Sequence, residues 1–226
     1  MDGLLLVDKP VGWTSFDVVA KVRGVLKASG LPKPKVGHSG TLDPLASGLL
    51  VLLIGSYTKR AETLTKLDKT YQVVMCLGKT STTGDGEGEV TSISDKQPSA
   101  YQLKTVFERF IGDINQVPPA YSAIKVDGQR AYKLVRQGKV PSLEARIVHI
   151  YMLQVGLYAY PEVHFSAKVG SGTYIRSLVE DIGNALKTGA YMSSLRREQV
   201  GSYSLHDAIK PEELRVGLIQ QNLITG

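Results

Sequence analysis

One loop concentrates the groups able to do chemistry. Residues 35–50 read Lys-Val-Gly-His-Ser-Gly-Thr-Leu-Asp-Pro-Leu-Ala-Ser-Gly-Leu-Leu, so glycines, hydroxyls and His38 surround a single carboxylate, Asp43. Pro44 restricts Asp43 to extended or turn backbone, which holds its side chain at a loop instead of along a helix. A carboxylate so placed can remove a proton or attack an electrophilic carbon. It can equally fold onto its own backbone as an Asx turn. The residue types alone leave both readings open.

Other common chemistries find no footing. His38, His149, His164, His206 and the lone Cys76 are scattered without paired-ligand spacing, so no metal site is expected. There is no phosphate-binding GxxxxGK loop and no GxSxG elbow. Gly84-Asp-Gly-Glu-Gly88 has glycine-rich spacing, but its acids would repel phosphate, and a tight acidic turn is the simpler reading. No cofactor is expected either.

The elements around the loop follow from periodicity. Leu4–Val7 reads as a short strand, and Ser15 as the cap of a helix with Phe16, Val19, Val22, Val25 and Leu26 at three- and four-residue steps. Leu31-Pro-Lys-Pro-Lys35 ends that helix and opens a long loop. Leu49–Ile54 is a buried strand, and Tyr71, Val73, Met75 and Leu77 alternate as a half-buried one. Ser99 and Gln102 form a capping box before a helix that buries Leu103, Val106, Phe107, Phe110 and Ile111. A polar, basic excursion follows Pro118-Pro119, with a short helical piece at 131–136. Strands are expected over 147–157, 162–169 and 200–205, an amphipathic helix after Gly172, and a closing helix that begins at Pro211. The fold class is therefore α+β, a mixed and mainly antiparallel sheet with flanking helices.

Charge and cysteine use narrow the setting. Twenty-seven Lys and Arg against 21 Asp and Glu give a net charge of +6, with the excess at the two ends and an acidic middle. Between 125 and 139, Lys125, Arg130, Lys133, Arg136 and Lys139 face one acid, Asp127. A segregated excess suits a polyanion such as nucleic acid, although a solvated basic surface would look the same. One cysteine cannot form an internal disulfide, which makes a reducing cytoplasm the default. The apolar run at the start stops after four residues and lacks a basic flank, so it is a strand and not a signal peptide. The run Leu49–Ile54 falls far short of the roughly 20 residues a membrane helix needs. No heptads or apolar stripe call for a dimer, and a monomer is expected.

Gly37-His-Ser-Gly-Thr-Leu-Asp-Pro-Leu-Ala-Ser-Gly48 resembles the catalytic motif of the TruB-type pseudouridine synthases, which isomerise the T-loop uridine at position 55 of transfer RNA. Six further blocks resemble that family in the same order. They are Leu6–Ser15, Asp68–Tyr71, Thr83–Gly88, Pro118–Lys125, Gly172–Arg176 and Leu195–Arg197. The resemblance implies a pseudouridine synthase fold in one catalytic domain over 1–226, with 118–150 as an inserted RNA-binding thumb. Most bacterial members carry a further carboxy-terminal RNA-binding domain of the PUA type, for which too few residues follow Leu205.

By resemblance Asp43 is the catalytic carboxylate and Arg176 its partner. Tyr71 stacks on the target base, His38 stacks against the T-loop, Tyr174 and Leu195 line the pocket, and Asp85 is a nearby acid. Taken alone, a Tyr at an inward strand position would be core. The implied reaction oxidises nothing and loses no group, which agrees with the lack of any cofactor motif. Two rivals remain from other classes. One is a non-catalytic RNA-binding or RNA-folding protein on the same fold. The other is a guide-RNA-dependent synthase, disfavoured because such relatives lean on a carboxy-terminal domain and protein partners.

Overall fold

The structure, a computed structural model, describes residues 1–31, 34–126 and 128–225. Pro32 and Lys33 of the predicted helix stop, and Asp127 of the basic stretch, lie outside the described residues. The chain divides into two compact units, one formed by residues 1–72 and 195–226, the other by residues 73–194. It passes from the first to the second within the strand Lys69–Leu77 and returns within the strand Ala190–Val200.

The first unit is organised by the strand Ser47–Ile54. It runs antiparallel to Gly3–Lys9, in register from Gly3 against Ile54 to Lys9 against Gly48. Its second half also pairs antiparallel with Val36–Ser39, and its start pairs in parallel with Arg196 and Arg197. Six consecutive apolar residues, Leu49 to Ile54, are at most 1% exposed because both faces of the strand are covered. Leu50, Leu52 and Ile54 pack with Leu5, Val7 and the helix residues Val18, Val19, Val22 and Leu26. Leu49, Val51 and Leu53 pack with Leu4, Leu6, Leu64 and Val200. Truncating Leu50 or Leu52 to Ala would cost about 2–5 kcal/mol by the usual cavity penalty.

The helix Ser15–Ala28 starts one residue earlier in its cap than expected. Thr14 is the N-cap, in a reciprocal capping box with Asp17, which leaves the Ser15 hydroxyl available for another task. The interval 36–48 is also not all loop, because Val36–Ser39 adds a short strand that carries His38.

In the second unit the long strand Arg146–Ala159 lies between Glu162–Val169 and Gly112–Gln116, antiparallel to both. The helices Ala100–Glu108 and Ile175–Leu186 cover this sheet. Phe107 meets Phe165 edge-on at 5.1 Å, and Leu178, Val179 and Ile182 are inaccessible to solvent. The Ser99–Gln102 capping box forms as predicted, but the helix stops at Glu108 and leaves Ile111 exposed. The basic excursion contains a two-residue hairpin, Lys125–Val126 with Gln129–Arg130, and the helix Ala131–Arg136. Both units are thus α+β, with mainly antiparallel strands and helices packed on them. The late strand expected at 200–205 is instead the end of Ala190–Val200 followed by a short return at Tyr203–Ser204. Pro211 does open a helical turn, Pro211–Glu213, ahead of the closing helix Val216–Gln221.

Candidate active site

Asp43 sits at the apex of the short connection between the strands Val36–Ser39 and Ser47–Ile54, half-buried. Its neighbours are fastened on both sides. The Ser15 hydroxyl accepts from the Leu42 amide at 2.8 Å and donates to the Leu42 carbonyl at 3.0 Å, as a paired strand would. The Gly12 amide donates to the Pro44 carbonyl at 2.8 Å, and the Ala46 amide closes a turn on the Asp43 carbonyl at 3.0 Å. Lys9, completely buried, donates its ammonium to the carbonyls of Pro10 and Trp13 at 2.9 and 2.5 Å. It thereby folds the turn that delivers Gly12 and Ser15 to the loop. At the exit of the loop, Gly48 has φ +100°, and any Cβ there would overlap the peptide of Arg197. Only glycine permits that approach.

His38 lies on the strand Val36–Ser39 with its Nδ1 buried and unpartnered. Burial, then the Arg197 guanidinium, hold its imidazole below the ordinary histidine value. It is therefore neutral at physiological pH, a flat and uncharged surface. Tyr71 is buried, and the two-residue period of a strand puts it on the same face as Lys69. The opposite face, Thr70 and Gln72, hydrogen-bonds Gln199 and Glu198 at 3.2 Å each. Lys69 is also buried, donating to the Thr65 and Leu67 carbonyls at 2.5 Å. Burial and Arg197 push its ammonium down to about 8. Leu195 and Arg197 share one face of the strand Ala190–Val200, and both are buried.

In the second unit, Arg176 opens the helix Ile175–Leu186 and is only 7% exposed. Its Nη1 donates to the Thr83 carbonyl at 3.1 Å and its Nη2 to the Tyr121 carbonyl at 2.9 Å. The Asp85 carboxylate lies 3.5 Å from Nη1, and Asp85 also accepts from the Thr83 hydroxyl at 2.6 Å and the Glu87 amide at 3.1 Å. The guanidinium is thus a rivet joining the acidic turn at 83–88 to the start of the basic excursion. One helical turn on, Glu180 presses on the same acidic turn, since a Cβ on Gly84 would lie 2.7 Å from its Oε1. Burial, then Asp181, raise the Glu180 carboxyl above its usual value against the pull of Arg176. Tyr174 is held through its backbone. Its amide donates to Gln116 Oε1 at 2.8 Å, and Gln116 Nε2 returns a bond to its carbonyl at 3.1 Å.

Of the predicted site residues, His38, Asp43, Tyr71 and Leu195 fall in the first unit, and Asp85, Tyr174 and Arg176 in the second. Asp85 and Arg176 are brought into contact. Among the described residues no cluster of His, Cys, Asp or Glu could hold a metal ion. Sequence reasoning missed Ser15, Gln116, Lys69 and Arg197 as supports of these groups. Their signal was present only as polar residues inside otherwise apolar strand or helix patterns.

The family model for the TruB family pseudouridylate synthase N-terminal domain matches residues 25–175. That for the tRNA pseudouridylate synthase B C-terminal domain matches residues 176–222. A tRNA pseudouridine synthase B of Pseudomonas putida is 45% identical over 214 residues, covering 95% of this chain and 68% of the relative. One from Burkholderia mallei is 44% identical over 214 residues, covering 95% and 69%. Among solved structures, a chain of a Cbf5–Nop10–Gar1 complex matches with a TM-score of 0.72 at 31% identity, over 94% of this chain and 53% of that one. A chain of an H/ACA RNP bound to a substrate RNA containing 2′-deoxyuridine matches with a TM-score of 0.69 at 29% identity, over 94% and 52%. The chain thus spans about half the length of these two solved chains. Among the described residues no helix is long and apolar enough to cross a membrane.

Proposed function

The chain belongs to the TruB family of pseudouridylate synthases, and from that premise we propose that it converts the T-loop uridine at position 55 of transfer RNA to pseudouridine, with Asp43 as the catalytic carboxylate. The observation that carries the reading is the fastening of the Asp43 loop. Leu42 and Pro44, on either side of the carboxylate, are both hydrogen-bonded to the segment 12–15, so the group is pre-positioned on a rigid frame. An Asx turn needs no such frame.

The reaction breaks the N1–C1′ bond, turns the uracil, joins C5 to C1′, and moves the C5 proton off the ring as N1 gains one. Atoms balance without an added reagent. Asp43, ionised, acts on the ribose or the base. Tyr71 stacks on the uracil and is placed to manage the C5 proton. Arg176, which the family motif pairs with Asp43, presents a guanidinium already fixed by Thr83, Tyr121 and Asp85. Leu195 and Tyr174 match the family's pocket-lining positions. The target nucleotide must leave its stack, at a cost of a few kcal/mol. Stacking on Tyr71 and on the neutral His38 offsets part of that, at roughly 1–3 kcal/mol per base. The basic excursion over 118–150 is read as a thumb on the RNA backbone. Lys125, Arg130, Lys133, Arg136 and Lys139 are all exposed there. Such contacts position RNA without reading its sequence.

The enzyme is proposed to act alone and in the cytoplasm, without a guide RNA, as a monomer. Incubating the protein by itself with an unmodified transfer RNA transcript and mapping pseudouridine tests this. Modification at position 55 alone is expected. No modification would return the chain to a binding role, and modification only on addition of a guide RNA would place it with the guided enzymes.

A further inference from the structure

Arg197 lies on the strand Ala190–Val200 and is 1% exposed, one of the two largest fully buried side chains. Among the described residues no carboxylate stands within ion-pair distance of it. Its charge works against two other basic groups, weakening the hold of Lys69 and of His38 on their protons. A group placed only to fill this volume would be apolar, because burying an uncompensated charge is costly and an apolar replacement is often as stable or more so. What the guanidinium does gain is two carbonyls in different directions. Nη2 donates to Gly40, three residues before Asp43, at 3.0 Å. Nε donates to Leu49, six residues after it, at 2.8 Å. The backbone of Arg197 meanwhile pairs with Gly48.

We propose that Arg197 is a positioning residue for the reaction, closing the loop that carries Asp43 by clasping a carbonyl on each of its flanks. The proposal rests on Asp43 being the reacting carboxylate. Ser15 and Gly12 hold the loop at its apex, the pairing of Ser39 with Val51 closes its base, and Arg197 adds side-chain bonds to the loop's entry and to its exit. A lysine cannot replace it, since one ammonium on a flexible stem lacks the rigid fork that reaches both carbonyls. The stability surrendered by burying the charge is spent at the one place where misplacement by an ångström lowers a rate about 10²-fold.

The test compares Arg197→Lys and Arg197→Met with Asp43→Asn on an unmodified transfer RNA transcript. Binding, thermal unfolding and the single-turnover rate at saturating enzyme are read on each preparation. Both Arg197 variants should bind RNA with the parent Kd and melt as cooperatively as the parent. Their rate should fall on the order of 10–100-fold. A merely structural residue would lower binding and melting together with rate. Parent-like turnover in either variant, or loss of binding in step with turnover, overturns the clasp. If neither variant folds, Gly40→Ala decides. Gly40 has φ +78°, a backbone conformation in which alanine is strained, so the substitution shifts the Gly40 carbonyl that Arg197 holds without removing the guanidinium. A slowed rate at unchanged Kd supports the clasp, and a parent-like rate overturns it. Turnover surviving in Asp43→Asn would instead overturn the catalytic reading itself.

Discussion

Arg176 Nη1 and Asp85 Oδ2 lie 3.5 Å apart, with both side chains under 10% exposed. The separation is long for a charge-assisted hydrogen bond, because Nη1 is already committed to the Thr83 carbonyl at 3.1 Å. Asp85 therefore acts mainly as a counter-charge, while backbone carbonyls set the direction of the guanidinium. Replacing Asp85 by Ala should remove a close counter-charge from the buried cation and lower stability by about 3 kcal/mol, the lower end for a broken buried pair. Urea unfolding of Asp85→Ala reads this directly, and a change below about 1 kcal/mol would show that the carbonyls suffice.

His38 gives an acid-side signature. Its folded value is below the ordinary 6.5, so between the two values the unfolded chain takes up a proton that the folded chain refuses. Stability that is complete above 6.5 is then lost as pH falls through that window. His38→Phe should abolish this component while keeping the stacking surface. In RNA binding Phe should stay near parent, and Ala should lose about 1–3 kcal/mol. Melting curves from pH 7 downwards, with Kd measured alongside, check both. Equal loss of binding in Phe and Ala would mean that the imidazole acts through a hydrogen bond.

Glu180 predicts the opposite sign. Burial raises its carboxyl above the usual 4.5, so the folded chain holds the proton more tightly, and stability present at low pH declines as pH rises from 4.5 through the raised value. Gln imitates the protonated form. Glu180→Gln should therefore be more stable than the parent near neutral pH, with the gap closing below about pH 4. Thermal unfolding at the two pH values settles it, and a less stable Gln variant at neutral pH would show that the charge is needed by Arg176.

The reading of the basic excursion as an RNA-binding thumb predicts a change in salt dependence. Arg130 donates Nη1 to the Ala123 carbonyl, and Arg136 lies 5.6 Å from the Tyr132 ring centroid, so both arginines also shape the segment. Lys125, Lys133 and Lys139 are the cleaner probes. Replacing all three by Ala should weaken RNA binding and flatten log K against log salt by about 0.7–0.9 for each phosphate that is no longer neutralised. A slope identical to the parent's would remove the lysines from the interface.

What could be read from the sequence was whatever is dictated locally. The run Leu49–Ile54 is apolar because both faces of one strand are covered, and its length alone marks it. The Ser99–Gln102 box and the helical piece 131–136 depend on neighbours within four positions. Most of the strand Ala190–Val200 is hidden in the sequence because its inward positions include Arg197, so a buried face reads as polar. Ser15 reads as a cap because a serine before an apolar period usually is one. Here Thr14 holds that role, and Ser15 answers to Leu42, 27 positions away. Asp43 is marked by its setting and by its motif, whereas Gln116, Lys69 and Arg197 serve partners that no local pattern connects to them.

The bond from Arg197 to the Gly40 carbonyl spans 157 positions. On the ribosome, at about 5–20 residues per second, roughly 8–30 s separate the synthesis of the two ends. Throughout that interval the emerging chain already carries Asp43 and, towards its close, the whole basic excursion, yet the bonds of Arg197 to Gly40 and Leu49 do not exist. A chain broken off before Arg197 would keep the bonds of Ser15 and Gly12 to the loop but lack the side chain that joins its two flanks. Synthesis must pass residue 197 before the entry and the exit of the Asp43 loop can share one side chain.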